Sequence, residues 1–531
     1  MKRREFIRRA VPAVTVPMML NGLNIKAFGE SAQLESLTGA RGNNDHVLVL
    51  IELSGGNDGL NTVIPIDQYS GIAAVRSNVM IDQSKVLALN GTSSVGLHPS
   101  MSGVQQMYNN GKVKIVQSVG YPNPNFSHFR STDIWTSASD SNTYLTSGWM
   151  GRYLNFEYPN YPTDYPNTTM PDPLAIQIGG VSDPVFMGPV MNMAYSLLLD
   201  SNNEVQSYTF LGNIQDPYSV QNPYKKELDY LRAVKKNTNG FGTAVKNAYD
   251  ATATQSAYPN TDLAKQLKIV AKLISGGLKT KVYWVSIGGF DTHASQVETD
   301  TTKGKHADLL QTLSDAVKAF HDDLQQLGLG DRVISMTYSE FGRRIISNFS
   351  SGTDHGAAAP LLLFGNKVVS GILGSNPIVS SSATVNDNLP MQYDFRSVYA
   401  SVLQDWLCVS QQDVESTILL QNFQSLPLVQ NSDCIASGIR EQNQAAGLNL
   451  IRAYPNPFTT RTTIEFTTAG SHTLVEIFNP FGQQIKTLVD ADFAQGTYQV
   501  DFENEGYAAG MYYVRFQNGA VQQVKPLVIA Q

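Results

Sequence analysis

Five short polar segments carry side chains that could do chemistry. They are Ser54-Gly55-Gly56-Asn57-Asp58-Gly59, Phe126-Ser127-His128-Phe129-Arg130-Ser131, Gly288-Gly289-Phe290-Asp291-Thr292-His293, Ser339-Glu340-Phe341-Gly342-Arg343-Arg344 and Gly352-Thr353-Asp354-His355-Gly356. Carboxylates and imidazoles recur across them, the ligand set of zinc, manganese or calcium. The acidic and imidazole side chains among them include Asp58, His128, Asp291, His293, Glu340, Asp354 and His355. Such a cation would lower the pKa of a nearby hydroxyl and neutralise charge developing on an ester oxygen. Hydroxyls stand in the same segments at Ser127, next to His128, and at Ser131. Arg130 or Arg343 could hold an anionic ester through two parallel N–H bonds. Taken singly, each segment has a plainer reading. Asp-x-His is commonly a solvated turn, Ser-His a helix cap, and Glu340 with Arg343 a buried ion pair.

What joins the segments is the elements before them. Residues 46–53 form a nearly continuous apolar run ahead of Ser54, as a strand buried on both faces requires. Residues 112–119 read as a second strand, 282–287 as a third and 333–338 as a fourth. Between them, Leu263, Leu267, Val270 and Ile274 predict an amphipathic helix over 262–274. Leu310, Leu313, Val317, Phe320, Leu324 and Leu327 predict a longer one over 307–327. Strand, helix, strand in this order specifies an α/β domain with a mostly parallel sheet flanked by helices. In such sheets ligands collect at the carboxyl ends of strands, where these polar loops fall. Residues 153–255, rich in Tyr, Pro, Asn and Asp, read as loops over the sheet edge. His98 and Trp135 read as structural, His306 and His321 as surface residues.

A chain of 531 residues needs two or three domains. Its net charge of −7 leaves no footprint for nucleic acid. Cys408 and Cys434 permit one disulfide and fit no metal spacing. Lys2-Arg3-Arg4 before Phe6-Ile7, then a modest apolar stretch, reads as an export signal over residues 1–29 and resembles a twin-arginine signal. No later stretch reaches membrane-spanning length, so no integral membrane segment is expected.

Together, the Gly-Gly-Asn-Asp-Gly-Leu-Asn loop at 55–61, Ser127-His128-Phe129, Gly148-Trp149-Met150-Gly151-Arg152, residues 288–293, Ser339 to Arg343, and Thr353-Asp354-His355-Gly356 resemble the domain of unknown function family 1501. That family is similar in layout to the alkaline phosphatase and sulfatase superfamily. The resemblance covers residues 45–430. It implies an acidic ligand at Asp58, a nucleophile at Ser127 with Ser131 as the second choice, ligands of one divalent cation at Asp291, His293 and Glu340, and a final His ligand at His355. At the superfamily's Asp-His pair this chain has Glu340-Phe341, and phenylalanine binds no metal. The resemblance thus leaves two outcomes open: a one-metal hydrolase of phosphate or sulfate esters, and a surface binding protein that keeps the fold without catalysis. Asp354 would orient His355 rather than ligate.

Beyond a connector at 431–448, residues 449–531 alternate over short strands, at 462–467, 473–478, 496–502 and 511–516, as in a small antiparallel β-sandwich. Tyr454-Pro455-Asn456-Pro457-Phe458, Phe481-Gly482-Gln483, Gly510-Met511-Tyr512-Tyr513 and Lys525 resemble the type A sorting domain of the type IX secretion system of Bacteroidetes. That implies passage through this machinery to the cell surface or the medium.

Overall fold

The computed structural model describes residues 18–20, 23–25, 45–430 apart from 160, 163, 180–182, 190, 200–204 and 206–239, then Cys434, and 451–530 apart from 457, 469–471, 480–482 and 519–520. Most of the expected export signal and connector lies outside these. The chain divides into two units, residues 44–431 and residues 432–531 with 1–43.

The larger unit is built on a nine-stranded sheet. In chain order its main elements are β1 (Val47–Ser54), α1 (Ser102–Asn109), β2 (Val113–Gly120), α2 (His128–Ser137), α3 (Trp149–Glu157), β3 (Ala175–Ile178), β4 (Ala194–Leu197), α4 (Asp262–Ser275), β5 (Val282–Gly288), α5 (Lys305–Gln326), β6 (Val333–Tyr338), β7 (Ala359–Phe364), β8 (Gly371–Leu373) and α6 (Phe395–Ser401). The strand order is β8-β2-β7-β6-β1-β5-β3-β4, with Tyr393–Asp394 also pairing β2. Every neighbour pair is parallel except those of β7, which runs against both β6 and β2.

Alternation along β1 shows why the sheet is buried on both faces. Val49, Ile51 and Leu53 enter one core with Val104 of α1, Leu267 of α4 and Leu313 of α5. Leu48 and Leu50 enter the other with Trp135 of α2, Trp149 of α3 and Tyr399 of α6. Removing apolar side chains of this size from water stabilises by about 1.5–3 kcal/mol each, so a strand apolar at every position is what a central strand demands. Helix α4 begins where Thr261 accepts a hydrogen bond from the Ala264 N–H, satisfying one of the amides a helix start leaves open.

Two expectations need correction. The stretch 153–255 is not loop alone: it continues α3 and adds β3 and β4 to the sheet edge. Its periodicity is weak because these strands have four residues each. His306 and His321 are not surface residues but buried on α5. His306 Nε2 lies 3.1 Å from Asn57 Oδ1, and His321 Nε2 lies 3.0 Å from Ser335 Oγ.

Burial holds these histidines neutral: His306 is pushed down to about 4, His321 to about 3, and His98, also buried, to about 3. All three lie below the unfolded value near 6.5, so the unfolded chain binds more protons in acid. Their contribution is fully present above pH 6.5 and is lost as pH falls toward 3–4. His321→Gln is therefore expected to flatten the fall of stability between pH 6 and 4 by about 1.4 kcal/mol per pH unit. Denaturant midpoints across that range check this, and an unchanged slope contradicts it.

The smaller unit carries a three-stranded antiparallel sheet of Ile451–Tyr454, Arg461–Thr468 and Gly496–Glu503, and a four-stranded one of His472–Phe478, Gln484–Asp492, Gly510–Asn518 and Val521–Ile529. Ile464, Phe466 and Phe502 of the first sheet share one core with Val475, Val514 and Leu527 of the second. This is the small β-sandwich that alternation specified, with three strands the sequence reading had not separated from their turns.

Candidate metal centre

Register brings the polar loops to one edge. Ser54 of β1 pairs with Gly288 of β5, and Glu52 with Tyr338 of β6. Three strands thus end together, and 55–58, 289–293 and 339–344 leave from the same side. The reversed strand β7 begins at that edge, Ala359 pairing with Val119 of β2. The segment 352–356 therefore arrives where 121–128 departs.

Arg343 ties these loops into one body. It is almost wholly buried. Its Nε donates to Gly56 O at 2.7 Å, Nη1 to Thr353 O at 2.8 Å, and Nη2 to Gly55 O, to Phe290 O at 2.8 Å and to Asp291 Oδ1 at 2.9 Å. The first loop approaches so closely that glycine is required: Gly55 and Gly56 have φ of +120° and +85°. A Cβ would strike the Asp291 amide in one case and the Phe341 ring in the other. Gly56→Ala is expected to cost about 1–3 kcal/mol by overpacking, besides backbone strain. Gly288→Ala, where a Cβ meets open space, should be nearly neutral. Equal midpoints in urea would contradict this contrast.

Three imidazoles converge on Asp291. His293 Nε2 and His355 Nε2 each lie 3.2 Å from its Oδ1, and His128 Nε2 lies 3.5 Å from its Oδ2. The other ring nitrogen is anchored in every case. His128 Nδ1 lies 2.8 Å from Glu340 Oε1, His293 Nδ1 2.8 Å from Asp354 Oδ1, and His355 Nδ1 2.7 Å from the Phe126 carbonyl. These oxygens accept, so each Nδ1 carries the proton and each Nε2 presents a lone pair. Nε2 of His293 and His355 are 2.9 Å apart. Two bare nitrogens facing each other repel, and a shared cation or a proton relieves the contact. Burial pushes His355 down, which disfavours the proton. Burial also acts to raise Asp291, but the hydrogen bond and charge of Arg343 override it and bring the carboxyl to about 2, ionised throughout the neutral range.

Imidazole nitrogens aimed inward, with their opposite N–H groups held by carboxylate or carbonyl, are what metal-ligating histidines require. His128, Asp291 and His355 each offer a ligand atom within 4.8 Å of the others. The donor set fits a divalent metal. Both cysteines are disulfide-bonded, so neither offers a metal a thiolate.

The remaining candidates stand in other roles. Glu340 is buried, its Oε1 also accepting from the Gly55 N–H at 2.9 Å; it orients His128 and takes no place among the converging atoms. Asp58 lies a layer below the rim, paired with buried Arg76 and accepting from Gln296 Nε2 at 2.6 Å. Burial acts to raise its pKa, yet the Arg76 charge prevails and lowers it. A carboxylate so neutralised is a structural counter-ion. Arg343 is spent on carbonyls, and Arg130 likewise: it pairs with Asp133 and donates to the carbonyls of Asp140, Ser141 and Thr143. Neither guanidinium is free to hold an anion. Asp354 orients His293, not His355. Ser127 is the exposed N-cap of α2, and its hydroxyl makes no capping bond. Ser131 is buried, its hydroxyl donating to Asn125 O at 2.6 Å. Phe341 sets its ring 4.9 Å from that of His128 and 4.4 Å from that of His355, centroid to centroid. Where the superfamily layout has a ligand, this chain has an aromatic wall against two imidazole rings.

A family model described as protein of unknown function, DUF1501, matches residues 45–412. The chain belongs to that family. A second model, the secretion system C-terminal sorting domain, matches residues 452–530, the β-sandwich. It marks this DUF1501 protein for export to the cell surface or the medium. No curated protein sequence matches the chain. Among solved structures it is similar to the PsFucS1 sulfatase from Pseudoalteromonas sp., at 10% identity over 89% of this chain and 86% of that one, with a TM-score of 0.32. A protein in the alkaline phosphatase superfamily from Vibrio parahaemolyticus matches at 9% identity over 91% and 83%, with a TM-score of 0.28. The alkaline phosphatase from the Antarctic bacterium TAB5 matches at 10% identity over 62% and 95%, also with a TM-score of 0.28. No helix among the described residues is long and apolar enough to cross a membrane.

Proposed function

We propose that the DUF1501 body is a metal-dependent hydrolase of phosphate or sulfate esters, with one divalent cation held by His128, Asp291, His293 and His355. The observation that carries this reading is the convergence of three anchored Nε2 atoms on one ionised carboxylate. Three imidazoles and one carboxylate suit zinc better than calcium, which takes oxygen ligands. The bound cation would act as a Lewis acid toward an ester oxygen. Ser127 would attack the phosphorus or sulfur and expel the alcohol, and water would then release phosphate or sulfate from the serine; its exposed hydroxyl stands at the N-terminus of a ten-residue helix, where partial positive charge favours an oxyanion. Glu340 and Asp354 would keep His128 and His293 in the tautomer that binds.

The route we propose is twin-arginine export across the inner membrane, then type IX secretion across the outer one, in a bacterium of the Bacteroidetes. Phe341 favours a second reading, a non-catalytic surface binding protein that keeps the fold with a degraded metal site.

Elemental analysis of the purified full chain, then assay on aryl phosphates and aryl sulfates, tests both. One equivalent of metal with turnover of either ester supports the hydrolase. Metal without turnover, or no metal, supports the binding protein and overturns the hydrolase.

A further inference from the structure

Both arginines that the sequence offers as anion holders are spent, so an anionic ester would need another cation at this rim. Arg344 supplies one. It is half-buried, its backbone N–H donates to Asp354 O, and its Nε donates to the carbonyl of the ligand candidate His355 at 2.9 Å. The guanidinium carbon lies 4.9 Å from the centroid of the Phe126 ring. Phe126 is itself fixed, its carbonyl bonded to His355 Nδ1, and Ser127 follows it directly. The guanidinium is thus positioned by two contacts, with His355 and Phe126, and its charge also acts on the exposed carboxylate of Asp387. Among the described residues, neither Nη atom makes a hydrogen bond or ion pair.

We propose that Arg344 is the oxyanion-binding residue of this site, gripping a phosphate or sulfate group through its two Nη atoms. The inference rests on the ester-hydrolase reading and names the group that recognises its substrate. A guanidinium held by its Nε and stacked on a ring keeps its Nη fork pre-organised, so little freedom is lost on gripping two oxygens. Lysine, a point charge on a flexible stem, would restore the charge but not the fork.

The test is calorimetric titration of inorganic phosphate and of sulfate into the full chain, wild type and Arg344→Met and Arg344→Lys variants, with metal content measured on each. The expected result is a loss of affinity of about tenfold to a hundredfold in Arg344→Met, a partial loss in Arg344→Lys, and unchanged metal content. Wild-type affinity in Arg344→Met overturns the inference and leaves the hydrolase reading standing. So does a loss accompanied by loss of metal, since Arg344 would then merely hold His355 in place. A wild-type chain with no metal fails the hydrolase reading, and affinity for either anion that still depends on Arg344 would sustain the grip alone.

Discussion

Asp291→Ala is expected to release the metal and lower ester turnover by about a thousandfold or more, several kcal/mol of lost charge stabilisation. Asp291 Oδ1 is the point on which His293 and His355 both converge, each at 3.2 Å. Without it, three neutral imidazoles remain and no anion balances the cation. The fold should survive. Arg343 Nη2, which loses this partner, still donates to Gly55 O and Phe290 O, and Asp291 is nearly half exposed. The anchoring carboxylates should have smaller effects. Glu340→Gln and Asp354→Asn keep an oxygen that accepts from Nδ1 but lose its charge, and partners of this kind cost about 10–100-fold in metal affinity or activity. Competition with a chelator orders the three variants, and equal retention of metal in all of them contradicts the scheme.

Arg343→Met should have the largest effect on stability. The substitution removes a buried charge that four backbone carbonyls and one carboxylate surround. Those carbonyls belong to the loops after β1 and β5 and to the segment ahead of β7, and nothing else nearby can satisfy all of them. Removing one partner of a buried charged network costs about 3–5 kcal/mol. The four tryptophans of the chain, Trp135, Trp149, Trp284 and Trp406, all lie in the larger unit. Tryptophan fluorescence in a denaturant titration therefore reports on that unit alone. A shift below about 0.5 kcal/mol, within the ordinary range for surface substitutions, would show that the loops hold together without Arg343.

The sheet was legible because its strands are buried on both faces. Residues 282–287 and 333–338 are apolar runs with no rival reading, and both became strands with boundaries within a residue of those expected. The site was legible as a set of segments, since polar loops after parallel strands must share an edge. What composition could not supply was which atom of each side chain faces inward. Glu340 and Asp58 are the right residue types on the right loops. One is held by an imidazole and a backbone amide, the other by Arg76, eighteen residues further along the chain. His128 was read as part of the catalytic serine segment because it sits beside Ser127. Only the fold shows its Nε2 turned toward Asp291. In sequence, Arg344 cannot be told from its neighbour Arg343. Burial separates them, one closed among carbonyls and the other open on a phenylalanine face. A Ser-His pair opening a helix just after a buried strand was the available signal for His128.

Diffraction from crystals of the full chain, recorded on both sides of the absorption edge of the metal found by elemental analysis, tests the central claim most directly. The account predicts one anomalous peak, about 2.0–2.2 Å from Nε2 of His128, His293 and His355 and from an Asp291 oxygen. A peak at Asp58 or elsewhere, or none among these four side chains, would contradict it.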